Sequence, residues 1–310
     1  MLTPFSNNSQ PVLIQRSATS YFSKPEEDLD PRLFTGHHLN GWVRNGLLQT
    51  LFGFLNQRYR HPELWSTVWL AGSGVSYQWS AARVPGDLDV LIGVNYIQFR
   101  KANPEYAGLS DVEISKMLNE DFFNNLQPET ADWNGFEVTF YVNPGATDIR
   151  TIKPYAAYDL THDEWTVTPS KESATHNKVW DAVAQRDLSM ATDILTRYSK
   201  SVTDLQNSKN DAARRNAESY MQAALMQANA LYSDIHEGRK FAFRETGEGY
   251  GDFYNYRWQA GKQYGTVPAL KKLAEYWKAY KAQQAEETYG IELPDTETLI
   301  RRAATYRSHR

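Results

Sequence analysis

Asp87-Leu88-Asp89 sets two carboxylates two residues apart at the start of an apolar run that ends at Val94. Alternate side chains of a strand share a face, so Asp87 and Asp89 point together while Leu88 and Val90 enter the other side. Cα atoms at that spacing lie about 6–7 Å apart, close enough for two carboxylates to converge on one or two divalent cations. Without a cation, two like charges on a buried strand repel and lose hydration. The pair therefore implies a metal ion or strongly perturbed protonation.

Upstream, Val68-Trp69-Leu70-Ala71 reads as a strand that stops at Gly72-Ser73-Gly74. Gly72 and Gly74 let the backbone come close to a ligand. If Val75–Ala82 is helical, its first N–H groups and the Ser73 hydroxyl form a site for phosphate oxygens. Glu137 lies in Phe136–Val142, a β-branched and aromatic run that reads as a third strand, and it can supply a third carboxylate. A few carboxylates plus substrate phosphates are what a hard Mg2+ site needs. Arg83, just before the acid strand, either reaches a nucleotide's phosphates or is a surface arginine.

An internal control shows where the weight falls. Asp28-Leu29-Asp30 has the same letters, but it follows Pro25 and two Glu, precedes Pro31 and has no strand or Gly-Ser before it. It reads as a solvated loop. Gly72-Ser73 and Glu137 are what make Asp87 and Asp89 credible.

The combination resembles the DNA polymerase β-like nucleotidyltransferase superfamily: a strand ending in Gly-Ser, a short interval, an Asp-x-Asp strand and a later strand with a third acid. Here thirteen residues separate Ser73 from Asp87, and the match spans roughly residues 66–143. The resemblance implies that Asp87, Asp89 and Glu137 bind Mg2+ or Mn2+, two ions in all. It also implies that Glu137 acts as or near the general base, and that Gly72 and Ser73 hold the triphosphate of an NTP donor. The implied reaction moves a nucleoside monophosphate onto an acceptor hydroxyl and releases pyrophosphate. The acceptor stays open among an RNA or tRNA end, a protein side chain and a small molecule. The same scaffold without catalysis would be a nucleotide- or partner-binding module, and a third reading gives the helical half the main role as a nucleic-acid or protein interaction domain. Gly86 departs from the small polar residue often found before the acid pair.

These residues need a scaffold, and the hydrophobic pattern outlines one of class α+β. Residues 1–37 read as an irregular arm with four prolines. Residues 38–170 read as a nucleotidyltransferase-like mixed sheet with flanking helices, opened by an amphipathic helix with Leu39, Trp42, Val43, Leu47, Leu51, Phe54 and Leu55 on one stripe. Ser110 and Glu113 spell a capping box before a helix through Phe123. Strand-like pieces lie near Ile152–Tyr158 and Trp165–Thr168. Residues 171–310 read as an all-helical C-terminal domain, similar to the helical part of bacterial and phage-encoded nucleotidyltransferases. Gly238 is expected to stop its clearest helix, an aromatic, glycine-rich stretch (Gly247–Gly265) to interrupt it, and Asp295 to cap its last one.

Weaker signals carry two readings each. His236, Arg239 and Lys240 either complement the negative end of a helix or contact a polyanion. Tyr250, Phe253, Tyr254, Tyr256, Trp258 and Tyr264, beside Arg257 and Lys262, either pack a core or stack bases. His37-His38 resembles a metal pair by composition alone.

Composition bounds the rest. Of 310 residues, 41% are apolar and 23% charged, the balance of an ordinary globular protein. The first 175 residues carry a net −7 and the remainder +3, too little basic excess for a DNA-coating protein. The absence of cysteine excludes disulfides, thiolate nucleophiles and Cys-ligated zinc, and it fits a cytoplasmic protein. No signal peptide is expected at the N-terminus, and no apolar run reaches the ~20 residues that span a bilayer.

Overall fold

The computed structural model describes residues 12–17, 20–81, 86–144, 147–172, 174–289, 298–301, 303 and 306. The chain divides into two units. Residues 20–174, 243–250 and 294–310 make a sheet unit, and residues 1–19, 175–242 and 251–293 make a helical one.

In the sheet unit, β1 (Phe34–Thr35) and β2 (His38–Leu39) pair as a small hairpin, with His37 in its turn. The His37 carbonyl accepts the Trp165 indole N–H, so this histidine is held by backbone packing. In α1 (Gly41–Asn56) the stripe Val43, Leu47, Leu51, Phe54 and Leu55 is buried, as an amphipathic helix requires. Trp42 departs from that stripe. It is exposed and stacks on Trp133 with ring centres 5.6 Å apart. After α2 (Pro62–Trp65), β3 (Ser66–Ala71) and β4 (Gly86–Val94) run antiparallel, with Ala71 opposite Asp89.

Then come α3 (Tyr96–Ala102) and α4 (Asp111–Asp121), the latter opened by the complete Ser110–Glu113 capping box. A π-helical stretch (Phe122–Leu126) and α5 (Gln127–Thr130) lead into β5 (Phe136–Val142), parallel to β4. The mixed sheet is completed by β6 (Ala157–Asp159) and β7 (Glu164–Val167), in the order β5-β4-β3-β6-β7. The strand expected over Ile152–Tyr158 is shorter because Ile149–Ile152 coils into a 3-10 turn capped by the Asp148 carboxylate.

The two faces of this sheet differ. Val68, Leu70, Leu88, Val90, Ile92, Val138 and Phe140 join Leu47 and Leu51 of α1 and Ile114, Met117 and Leu118 of α4 in the main core. On the opposite face Trp69, Leu91 and Ala157 pack with Ile149 and Ile152, and Phe243 covers them.

The helical unit holds α6 (Lys178–Gln206), α7 (Asp211–Ala242), α8 (Phe253–Tyr264) and α9 (Thr266–Tyr289). Gly238 does not stop α7, which continues to Ala242. A Cβ there would come within 2.8 Å of the Tyr254 ring, so this glycine serves close packing rather than termination. The aromatic stretch is largely helical too. Asp252 caps α8, and Gly265 ends it at φ 81°. Val12 is buried with Ala191, Leu225 and Leu270, so the start of the chain contributes to this unit's core. Asp295 lies outside the described residues. Among those described, no helix is long and apolar enough to cross a membrane. The molecule is thus α+β, a mixed five-stranded sheet with flanking helices and a helical C-terminal region.

Candidate active site

The parallel register of β4 and β5 sets Asp87 opposite Glu137 and Asp89 opposite Thr139. Partners across a parallel ladder project to the same side, and so do residues two apart on one strand. Asp87, Asp89 and Glu137 therefore occupy adjacent positions on one face, with Asp87 and Asp89 half-buried and Glu137 exposed. Their neighbours Leu88 and Val138 enter the main core on the other side. Further along the same face Leu91 meets Trp69, Ile149 and Ile152. This face is thus acidic at one end, and apolar and covered at the other.

The Gly-Ser turn closes against the acidic end. Gly72 takes φ 86°, and a Cβ there would lie 2.6 Å from Oδ2 of Asp89. The carboxylate of Asp89 is thus seated over a backbone that only glycine can present. At Gly74 a Cβ would meet the Asp87 carbonyl at 2.6 Å and the Leu88 side chain at 2.9 Å. Both glycines are required by approach to β4, which brings half-buried Ser73 between them to the level of the acids.

The condition that Val75–Ala82 be helical is not met over the described residues 76–81. Only Ser73–Val75 makes a 3-10 turn. The Ser76 hydroxyl donates to the Ser73 carbonyl at 2.9 Å and accepts from the Gln78 N–H at 3.0 Å. A side chain that bonds its own backbone in this way competes with helix propagation. This turn therefore presents the Ser73 hydroxyl and local N–H groups without a helix dipole behind them.

Gly86, the departure before the acid pair, has a packing cause. A Cβ there would overlap the Phe136 ring at 2.6 Å. Beside that ring lies a cation that sequence reasoning missed. Arg32 sits 4.6 Å from the Phe136 centroid and 3.6 Å from the same Cβ position. Asp30 holds it in a fork, Nε donating to Oδ1 at 3.0 Å and Nη2 to Oδ2 at 2.6 Å. The Asp30 carboxylate raises the Arg32 guanidinium above its ordinary value. This overturns the solvated-loop reading of Asp28-Leu29-Asp30: Asp28 is exposed, but Leu29 and Asp30 are buried. Their burial depends on contacts with residues far along the chain, which a local pattern does not display. Arg83, the cation expected from the sequence, lies outside the described residues.

No group of three or more His, Asp or Glu side chains able to hold a metal ion is assembled among the described residues. The backbone aligns Asp87, Asp89 and Glu137, but their tips are not gathered into a ready cage. The donor set is oxygen only, and Glu137 is exposed. That chemistry fits a hard cation such as Mg2+ or Mn2+.

The weaker candidates mostly serve packing. Tyr250 lies 4.4 Å from the Tyr155 ring and 4.9 Å from the Tyr21 ring. Tyr256 is buried and donates its hydroxyl to Asp181 at 2.7 Å. Arg257 forks onto Asp187 at 2.7 and 2.9 Å. His236 stacks on Tyr232, and burial followed by the Lys240 charge pushes its pKa down. A neutral imidazole adds little to the helix dipole, so Arg239 and Lys240 fill that role in the last turn of α7. No protein-family model, curated protein or solved structure matches the chain, so its chemistry has to be read from its own residues.

Proposed function

We propose that the chain is a metal-dependent nucleotidyltransferase that moves a nucleoside monophosphate from an NTP to an acceptor hydroxyl. One observation carries this reading: Asp87, Asp89 and Glu137 share a face and a register, and Gly72-Ser73-Gly74 is folded against their strand. The acceptor oxygen attacks the α-phosphorus, the bond from that phosphorus to the β-phosphate oxygen breaks, and pyrophosphate leaves. Glu137, the most exposed of the three acids, takes the acceptor's proton. Asp87 and Asp89 hold the cations, and bound Mg2+ supplies Lewis-acid stabilisation of the charge that develops on phosphate. Ser73 and the turn's N–H groups hold the triphosphate.

The nucleotidyltransferase fold itself is part of this proposal, supported by the strand order around the acids. So is a cytoplasmic setting, supported by the lack of cysteine. RNA or tRNA ends, protein side chains and small molecules all offer the required hydroxyl.

The carboxylate tips that are not gathered favour a second reading, a scaffold that binds a nucleotide or partner without turnover. Pyrophosphate release separates the two. The catalytic reading expects Mg2+- or Mn2+-dependent release from at least one NTP, lost in Asp87→Asn and Asp89→Asn while circular dichroism and melting temperature hold. Release at the wild-type rate in either variant overturns the assignment. Loss of the folded state along with release would make the two acids structural.

A further inference from the structure

On the far side of the main core from the acids, Tyr59, Tyr106 and Asp121 form a small cage around one guanidinium. Asp121, the last residue of α4, is 1% exposed. Its Oδ2 accepts the Tyr59 hydroxyl and Nη2 of Arg301, the latter at 2.7 Å. The same Nη2 lies 3.3 Å from the Tyr59 hydroxyl, and Nη1 donates to the Tyr106 hydroxyl at 2.6 Å. The guanidinium carbon stands 6.0 Å from the Tyr59 ring and 5.8 Å from the Tyr106 ring. Burial, with the nearby Asp121 charge, pushes the Tyr59 hydroxyl far above its ordinary pKa, so it stays protonated and donates.

These features specify a ligand. A buried carboxylate demands a cation, because its desolvation is otherwise uncompensated. Two hydroxyls and two ring faces arranged around it suit a flat, multi-donor cation better than a compact ammonium. The residue that fills the cage is 180 positions away in the chain. Its neighbour Ile300 packs against the main core, so two adjacent side chains seat this segment. The cage also borders the support of β5. Asn119 of α4 donates to the Val142 carbonyl at 2.9 Å and accepts from the Val142 N–H at 2.7 Å.

We propose that this cage is a guanidinium-binding site, filled by the chain's own Arg301, that accepts an arginine side chain supplied in trans once Arg301 is withdrawn. The inference is independent of nucleotide chemistry and stands or falls without it.

The test uses the full chain and millimolar N-acetyl-arginine amide, with N-acetyl-lysine amide as the control. Arg301→Ala should lower the melting temperature by roughly 5–10 °C, the effect of exposing one buried partner of an ion pair. The arginine probe should restore several degrees saturably, the lysine probe far less. Wild type and the Asp121→Asn/Arg301→Ala double variant should not respond. No saturable response in Arg301→Ala overturns the proposal, as does an equal response to lysine amide or an equal response in wild type. If Arg301→Ala does not fold, Arg301→Lys keeps the charge without the planar pair of donors to Asp121 and Tyr106 and is read in the same way.

Discussion

At Gly72 two costs coincide. A φ of 86° with ψ −163° is backbone that essentially only glycine adopts and costs a residue with a side chain about 1–3 kcal/mol, and the Asp89 carboxylate already occupies the place of the missing Cβ. Gly72→Ala should therefore destabilise the sheet unit by about 2 kcal/mol or more, and pyrophosphate release should fall further than the folded fraction does. Urea denaturation beside the release assay checks both. Ser73→Ala asks less of the fold. Losing one hydrogen bond to a charged phosphate costs about 1.5–3 kcal/mol, so KM for the NTP should rise about 10-fold or more with stability intact. An unchanged KM would remove Ser73 from the donor site. His236 gives a pH signature. Its pKa is pushed down in the fold, so its stabilisation is complete above the unfolded imidazole value of about 6.5 and is lost as pH falls through the folded value. Wild type should lose more stability between pH 7 and pH 5 than His236→Phe, which keeps the stack on Tyr232; equal losses in urea midpoint would contradict this. Part of this scale is legible in the sequence. Gly72, Ser73, Asp87, Asp89 and Glu137 are all marked by local pattern. Asp30 and Arg32 are not, because Asp30 is buried while the Arg32 it holds packs on Phe136, about a hundred residues away.

At the scale of elements, alternation and apolar runs mark β3, β4 and β5 clearly, since each has a face or flank that must be buried. Glycine misleads by contrast. Gly238 looks like a helix end, yet it lies inside α7 because the Tyr254 ring needs its missing side chain. The segment after Ser73 carries helix-compatible residues, yet the Ser76 hydroxyl diverts the backbone after one turn. Buried charge ties the helices together. Arg257 and Asp187 are 11% and 7% exposed and link α8 to α6. Asp187→Ala should cost about 3–5 kcal/mol by leaving a buried guanidinium without its main partner. Asp204→Ala removes the exposed Lys200–Asp204 pair and should cost no more than about 0.5 kcal/mol. Comparable losses in thermal denaturation would show that the buried fork is not what holds α8.

For the whole molecule, composition and periodicity are enough to indicate a strand-bearing part and a helical part. They do not reveal that both parts are assembled from separated segments. Val12 belongs to the helical core, and Phe243–Tyr250 belongs to the sheet unit although α7 and α8 flank it. A single well-placed apolar residue leaves no periodic trace. Removing residues 1–17 should therefore destabilise the helical unit by at least the roughly 1.5–3 kcal/mol of burying one valine. The sheet unit should melt unchanged, and hydrogen exchange of α6 to α9 against β3 to β5 reads the two separately.

What the acid face does with an NTP is read most directly by label transfer. Wild type, Asp87→Asn and Asp89→Asn are each incubated with Mg2+ or Mn2+, a cell extract, and each NTP labelled at the α- or the γ-phosphate. The proposed chemistry moves α-label onto an acceptor and γ-label into pyrophosphate with wild type, and neither with the variants. Transfer of γ-label to the acceptor, no transfer from any NTP, or equal transfer by the Asn variants would contradict it.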